Sequence, residues 1–503
     1  MRFLRYIFFL VLLFFVLLPL RPGREAADFP VSEDGFFSMT VARNIAHGNG
    51  VTIDGEQLTN GFQPLFTFVT VPLFAGNDKL LSVRFLFFFQ IVIFGLTAYL
   101  LGKLIYEFLK EFYPDTDKSL QWLIALMYLA GQTVIIKHLN GLETGFYMFM
   151  IVLTAYYYFR YYRDDFKSRL MLGVLMGLTV LTRIDFAFFV VIFTVAILLE
   201  GKDNFTERMK SAVTVSLTAF LVSLPWWIYN YTVFGSVMPI SGQAQQRFEL
   251  DLYRIFWSVY AVANNFEIFT TKTEAFVDER LLLAVRLMFI AAVFYFVRPL
   301  IAEIKSRFAT AASERFLRFI FILFVFSVSL IIWYTISNWA VYFYPRYFMP
   351  LVIVSVFVLS LALLKTVTRY KTMISLTAVI FPLMSAVFVM IVFYKIGMNG
   401  SGFLNNQLPL IEEHVPKTEK VAAGQTGTIG YFLDNVVNLD GKVNYEALAY
   451  RNNMWDYLDK KKIAWFCDWE LGVKRFLGVN PGQNGWEFID KRGDFLLYHK
   501  KHK

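Results

Sequence analysis

The sequence of 503 residues has little charge and almost no cysteine. Charged residues make up 17% of it, where soluble domains carry about 25%. A wholly water-exposed globule of this length is therefore a poor reading. The single cysteine, Cys467, allows no internal disulfide and no cysteine-ligated zinc site of the usual kind. The five histidines, at 47, 138, 414, 499 and 502, lack metal-ligand spacing. There is no P-loop and no dinucleotide fingerprint, no evident internal repeat and no low-complexity linker. No small-x-small cleavage site precedes Pro19–Pro22, so the basic start and the apolar run after it read as a retained anchor.

What the chain has is apolar surface. It is 57% hydrophobic and 18% aromatic, with 56 Phe. Apolar runs fall at about 3–20, 80–102, 120–136, 143–160, 170–182, 186–200, 211–232, 281–299, 317–336, 347–364 and 372–394. Most suit bilayer spans, with 170–182 short. The net charge of +9 sits in clusters between those runs, the positive-inside pattern. This argues against nucleic-acid binding. With Arg2 and Arg5 inside, five later loops rich in Lys and Arg share that side. The turns opposite hold Lys137, Arg183 and Arg346. The alternation predicts about eleven spans with the C-terminus outside. A crossing at 62–76 would invert every later loop, so that apolar stretch reads as a juxtamembrane or re-entrant element packed under the first outer loop, the alternative being a short true span with one later pair miscounted.

The expected fold class is mainly α: a polytopic transmembrane helical bundle over 1–395, followed by a small extracytoplasmic α/β domain over 396–503. Two outer segments, 21–79 and 233–280, belong to the membrane domain. In the tail, VAAG (421–424), a Gly-rich turn, IGYFL and NVVNLDG read as strand–helix–strand. KKKIAWFCDW and DFLLYHK read as further strands.

The first outer loop holds the most informative residues. Glu33 and Asp34 follow the first apolar run and open a helix-like stretch that Ser32 can cap, with Gly35 three positions on. Read alone, they are first-turn acids favoured by the helix dipole. Glu143, within Asn140-Gly141-Leu142-Glu143-Thr144, begins a span, a costly depth for an acid without work or a partner. Arg183 and Arg346 can act as interfacial anchors, and Arg183 can pair with Asp185. His138 reads as interfacial, His47 as structural, and the aromatic stretch from Trp226 to Tyr231 as an interface belt.

Taken in order, these pieces resemble the GT-C superfamily of membrane glycosyltransferases, in particular bacterial arabinofuranosyl- and mannosyltransferase-like members. The resemblance rests on the acidic pair, on ARNIAHGNG (42–50), NGFQPLF (60–66), NGLET (140–144) and LTRID (181–185). It continues in LPWWIYNYTVFGSVMP (224–239), YPRYFMPL (344–351) and AGQTGTIGYFLDNVVNLDGKVN (423–444). The order is specific where no single piece is. Two departures stand out. Gln63 and Phe66 replace the Asn and Trp of the relatives' N-P-L-W element. Gln245 stands near a position where relatives commonly carry Lys, which puts a phosphate contact from that loop in doubt.

The resemblance implies sugar transfer from a polyprenyl-phosphate donor to an acceptor hydroxyl on a glycan, lipid or protein, with inversion, at the outer face of a bacterial plasma membrane. A carboxylate takes the hydroxyl proton. By analogy this is Asp34, with Glu33 as the alternative or an orienting partner. Arg346, with Tyr347 beside it, is placed to bind phosphate oxygens, and Arg183 beside Asp185 has a similar position. Glu143, Arg43, Gln63 and His138 complete the expected substrate-binding set. Some relatives use a divalent cation and others none, and the acids here form no recognisable cation site. The competing readings are a transporter or flippase of lipid-linked glycans and a non-catalytic envelope-assembly protein. Paired-carboxylate hydrolysis fits poorly, because neighbouring residues rarely straddle one glycosidic bond.

Overall fold

A computed structural model describes residues 3–200, 204–266, 278–306, 310–369, 380, 382–387, 391 and 402–500. It is a helical bundle carrying a small five-stranded sheet domain at its C-terminal end. Most of the apolar run expected at 372–394 lies outside the described residues.

Four helices are long and apolar enough to cross a membrane: Lys79–Phe112, Phe205–Phe234, Glu279–Ile304 and Ala311–Ser337. Two bent pairs raise the number to six if each is one span. These are Ser119–Ala130 with Gln132–His138, bent by 75°, and Val341–Tyr347 with Pro350–Leu364, bent by 57°. The eleven spans expected from apolarity are thus not reached by helix length among the described residues. The run at 3–20 gives only Leu4–Phe15, and that at 186–200 gives Ala187–Leu199. Thr144–Arg160 and Phe166–Thr182 hold 17 residues each, or about 26 Å of helix. The long helices start at side-chain caps. Asp78 accepts from Leu80 N and Leu81 N at 2.9 and 3.0 Å, and Thr310 accepts from Ser313 N at 3.2 Å. These apolar helices make the chain an integral membrane protein.

The stretch 62–76 forms the helix Pro64–Thr70 and the 3-10 turn Val71–Phe74. Together they span roughly 16 Å, about half a hydrocarbon core. The helix packs on Glu33–Ala46 and on Phe166–Thr182.

In the tail, β1 (Val421–Ala423), the helix Gly427–Phe432 and β2 (Val436–Asn438) occupy the expected strand–helix–strand positions. β3 (Trp465–Trp469) and β5 (Phe495–Lys500) match the other two expected strands. With β4 at Trp486–Arg492, the sheet order is β2-β1-β3-β5-β4, parallel through β2, β1 and β3 and antiparallel beyond. The strand not anticipated is β4 (Trp486–Arg492), an edge strand.

The tail docks against the first outer segment. Arg24 makes a two-pronged pair with Glu412 at 2.8 and 2.7 Å, and Tyr431 donates to the Lys79 carbonyl at 2.7 Å. Two glycines let the backbones meet. A Cβ on Gly427 would lie 1.9 Å from the Glu33 carbonyl oxygen, and one on Gly61 would lie 2.1 Å from that of Lys442. Only a residue without a side chain fits either place.

Candidate active site

The helix Glu33–Ala46 begins as its sequence suggests. Ser32 is extended and its Oγ accepts from Gly35 N at 3.2 Å. The same hydroxyl donates to the Asn140 carbonyl at 3.0 Å, which pins the helix start to the turn that carries Glu143. Successive residues on a helix point about 100° apart, so Glu33 and Asp34 face different partners.

Asp34 faces a cavity of about 380 Å³. One of its oxygens lies 3.8 Å from Arg346 Nη1 and the other 3.6 Å from Lys442 Nζ. Glu33 instead faces the tail. Its half-buried carboxylate accepts from Thr428 N at 3.1 Å and from Thr428 Oγ1 at 2.5 Å. Burial pushes its pKa up to about 7, against those hydrogen bonds.

Behind Asp34 runs a chain of buried ion pairs. Arg346 Nη2 donates to both oxygens of Glu143, at 2.9 and 3.0 Å. Arg183 Nη1 lies 3.7 Å from the same carboxylate, while Arg183 Nη2 donates to Asp185 at 2.5 Å. Tyr334 donates to that Asp185 oxygen at 2.9 Å. The Tyr334 ring stacks on Tyr347 at 4.0 Å, and the Arg183 guanidinium sits 5.1 Å from the Tyr347 ring centroid. Tyr347 donates to Gln245 at 3.2 Å. Taking such charges out of water is costly, so a cluster this dense in a cavity wall points to function. Arg346 Nε and Arg183 Nη1 are buried and make no hydrogen bond among the described residues, leaving donor capacity for an anion.

Six of the eight residues read as substrate-binding line this cavity: Arg346, Tyr347, Arg183, Asp185, Glu143 and Gln63. Two do not, and Glu33 also stands apart. Arg43 sits nine positions along the helix from Asp34, about 13 Å, where it donates to the Gly76 carbonyl at 3.1 Å. His138 is buried against Phe94 at 4.4 Å and bonds Tyr128 Oη at 2.9 Å. It is a packed core histidine, because the bend at Gly131 turns its short helix into the bundle.

Sequence reasoning passed over Lys442 and Tyr334. Lys442 follows Gly441, whose φ of 77° turns the chain, and reaches back to both Asp34 and Asp440. Burial pulls the pKa of its ammonium down, but the two carboxylates outweigh it and hold the group above the ordinary lysine value. Nothing in the spacing of the tail marks this residue, since its partner lies at the far end of the chain. Tyr334 belongs to an apolar helix and carries no local sign of its bond to Asp185.

Among the described residues, no group of three or more His, Cys, Asp or Glu is placed to hold a metal ion. Asp34, Glu143 and Asp185 each already face a guanidinium or an ammonium. That donor set suits an anion better than a divalent cation.

No protein-family model and no curated protein matches the sequence. Solved structures match the fold. ArnT from Cupriavidus metallidurans bound to undecaprenyl phosphate superposes with a TM-score of 0.59 at 10% identity, covering 98% of this chain and 97% of that one. Apo ArnT gives 0.54 at 10% identity, covering 93% of each chain. The archaeal oligosaccharyltransferase AglB from Archaeoglobus fulgidus, in complex with an inhibitory peptide and a dolichol-phosphate, gives 0.52 at 13% identity, covering 99% of this chain and 75% of that one. The chain has the GT-C fold.

Proposed function

We propose that the protein is a glycosyltransferase that moves a sugar from a polyprenyl-phosphate donor to an acceptor hydroxyl. The observation that carries this reading is Asp34. Its carboxylate shares one cavity with Arg346, Lys442 and Arg183, and a carboxylate beside such cations supports a base working next to a phosphate. The ligands seen with the fold neighbours, undecaprenyl phosphate in ArnT and dolichol-phosphate in AglB, support a lipid-linked phosphate as the group that wall receives.

The chemistry follows from those positions. The acceptor oxygen attacks the anomeric carbon while Asp34 takes its proton. The bond from that carbon to the phosphate oxygen breaks, and its electron pair stays on the phosphate. Arg346 and Lys442 neutralise the charge that develops there. Attack from the face opposite the leaving group inverts the anomeric centre. Glu143 holds Arg346 and Asp185 holds Arg183, so the guanidinium planes are fixed before the donor arrives. In this reading the cavity opens on the outer face of a bacterial plasma membrane, and the C-terminal domain lies outside as the lid that carries Lys442. No step requires a metal.

The test uses the full chain in lipid vesicles with polyprenyl-phosphate sugars and a panel of hydroxyl acceptors, read by mass spectrometry. Donor consumption by the wild type, lost by about 10²–10⁴-fold in Asp34→Asn while insertion is retained, supports the reading. An Asp34→Asn variant as active as the wild type sinks the assignment of the base. Movement of intact donor across the bilayer without cleavage turns the protein into a transporter.

A further inference from the structure

A second cavity, of about 560 Å³, opens at the other end of the bundle between Lys79–Phe112, Ser119–Ala130 and Thr144–Arg160. Its place follows from the long helix. Gln90 of that helix bonds the Leu142 carbonyl at the level of the first cavity. Lys103 stands thirteen residues further on, about 20 Å. From Lys79, which touches the tail, the distance is about 36 Å, slightly more than a hydrocarbon core. The second cavity therefore lies about 20 Å along the bundle from the first, toward the end away from the tail.

Lys103, Lys110, Lys118 and Arg160 line it, against only Glu107 and Glu111. Glu111 is already engaged by the hydroxyls of Thr310, at 2.6 Å, and Ser313. Lys103 Nζ stands 3.9 Å from Glu107. Among the described residues, Lys110, Lys118 and Arg160 form no ion pair. Gln121 is 3% exposed and lines the same cavity, and its side-chain amide makes no hydrogen bond among the described residues. Three cations without an ion-pair partner around one space call for an anion with hydrogen-bonding oxygens.

The surroundings say where that anion comes from. Phe85, Phe88, Val92, Leu96 and Tyr99 are all exposed and recur at helical spacing along Lys79–Phe112. Lys103 continues the same stripe. Tyr99 packs on Trp122 at 5.7 Å, and Trp122 packs on Phe8 at 5.4 Å. An apolar track about 21 Å long, ending in aromatic rings and then in cations, matches a phospholipid: acyl chain, interface and phosphate.

We infer that this cavity binds the phosphate headgroup of an anionic membrane lipid, at a site separate from the one that holds Asp34. The inference stands on its own geometry and does not depend on the transfer reaction. The test is native mass spectrometry of the full chain with phosphatidylglycerol, with phosphatidylcholine, or with inorganic phosphate added to the phosphatidylglycerol sample. Wild-type protein retains phosphatidylglycerol in preference to phosphatidylcholine. Lys118→Gln and Arg160→Gln, both exposed positions that leave the fold intact, each weaken retention about fivefold. Adding Lys103→Gln brings it to the phosphatidylcholine level. Equal retention of the two lipids, or an unchanged preference in the single variants, overturns the inference. Displacement of the lipid by millimolar inorganic phosphate reassigns the cavity to a soluble anion and overturns the lipid assignment.

Discussion

Lys442 Nζ lies 3.6 Å from Asp34 Oδ1, so the C-terminal domain contributes a cation to a cavity whose acid comes from the first outer segment. The tail is thereby part of the site and not an appendage to it. Lys442→Gln is expected to lower kcat/KM for the donor by about 10–100-fold, the usual worth of a hydrogen bond to a charged group. Lys442→Arg should restore part of it. Steady-state kinetics with the lipid-linked donor checks this, and unaltered kinetics in the Gln variant removes Lys442 from the phosphate site.

Arg346 Nη2 is shared between both oxygens of Glu143, and Glu143 is 1% exposed. Arg346→Gln leaves that carboxylate with only the longer Arg183 contact at 3.7 Å, at a cost of at most roughly 3–5 kcal/mol. The double change Arg346→Gln with Glu143→Gln is expected to recover most of the lost thermal stability but none of the activity. Thermal unfolding and turnover measured on the same preparations separate the two effects. A double variant no more stable than Arg346→Gln alone contradicts the pairing.

Glu33 links pH to the docking of the tail. Burial raises its folded-state pKa to about 7 from an ordinary value of 4.5. Below pH 4.5 the carboxyl is protonated in both folded and unfolded chains, and its contribution is fully present. Between 4.5 and 7 the unfolded chain has released a proton that the folded chain still holds. Stability therefore falls as pH rises through this window, by roughly 3 kcal/mol for a shift of this size. Asp468, raised by burial to about 6, acts in the same direction. Unfolding followed from pH 4.5 to 7.5 should show the decline, and Glu33→Gln should flatten it to what Asp468 leaves. Identical pH profiles for the variant and the wild type count against the assignment.

Gly427→Ala sets a methyl group against the Glu33 carbonyl, and Gly61→Ala sets one against that of Lys442. Both obstacles are backbone, so the tail must shift, at about 1–3 kcal/mol for each overpacked contact. Limited proteolysis should cut the tail faster in either variant, and activity should fall with it as Lys442 withdraws. Protection equal to the wild type in both variants means that the docked arrangement is not the one in solution.

Arg43→Ala and His138→Phe distinguish the cavity from its neighbourhood. Arg43 serves the Gly76 carbonyl and His138 packs among Phe94 and Tyr128. KM for donor and acceptor is expected to change by less than about twofold, the effect of roughly 0.4 kcal/mol. His138→Phe should still lower thermal stability, because Tyr128 loses its partner. A large rise in KM for either variant returns that residue to the substrate site.

The sequence by itself determined what local chemistry can determine. Apolar runs made this a membrane protein, because only helices or closed barrels satisfy backbone groups in lipid. Ser32 marked a helix start through its own side chain, and the strand–helix–strand of the tail was visible in β-branched runs broken by glycine. The residue types of the cavity, an acid after the first span and arginines at helix ends, were legible because charge at such depth is costly. The tertiary structure decided the rest. Span lengths depended on where helices break. β4 escaped notice because an edge strand with exposed Glu487 and Lys491 lacks the alternation of a half-buried one. Which of two adjacent acids faces the cavity depended on what covers the other side of the helix, and that cover is Thr428, contributed by the tail. Lys442 reaches Asp34 for the same reason: two segments distant in sequence meet across glycines, and nothing local to either one records the meeting.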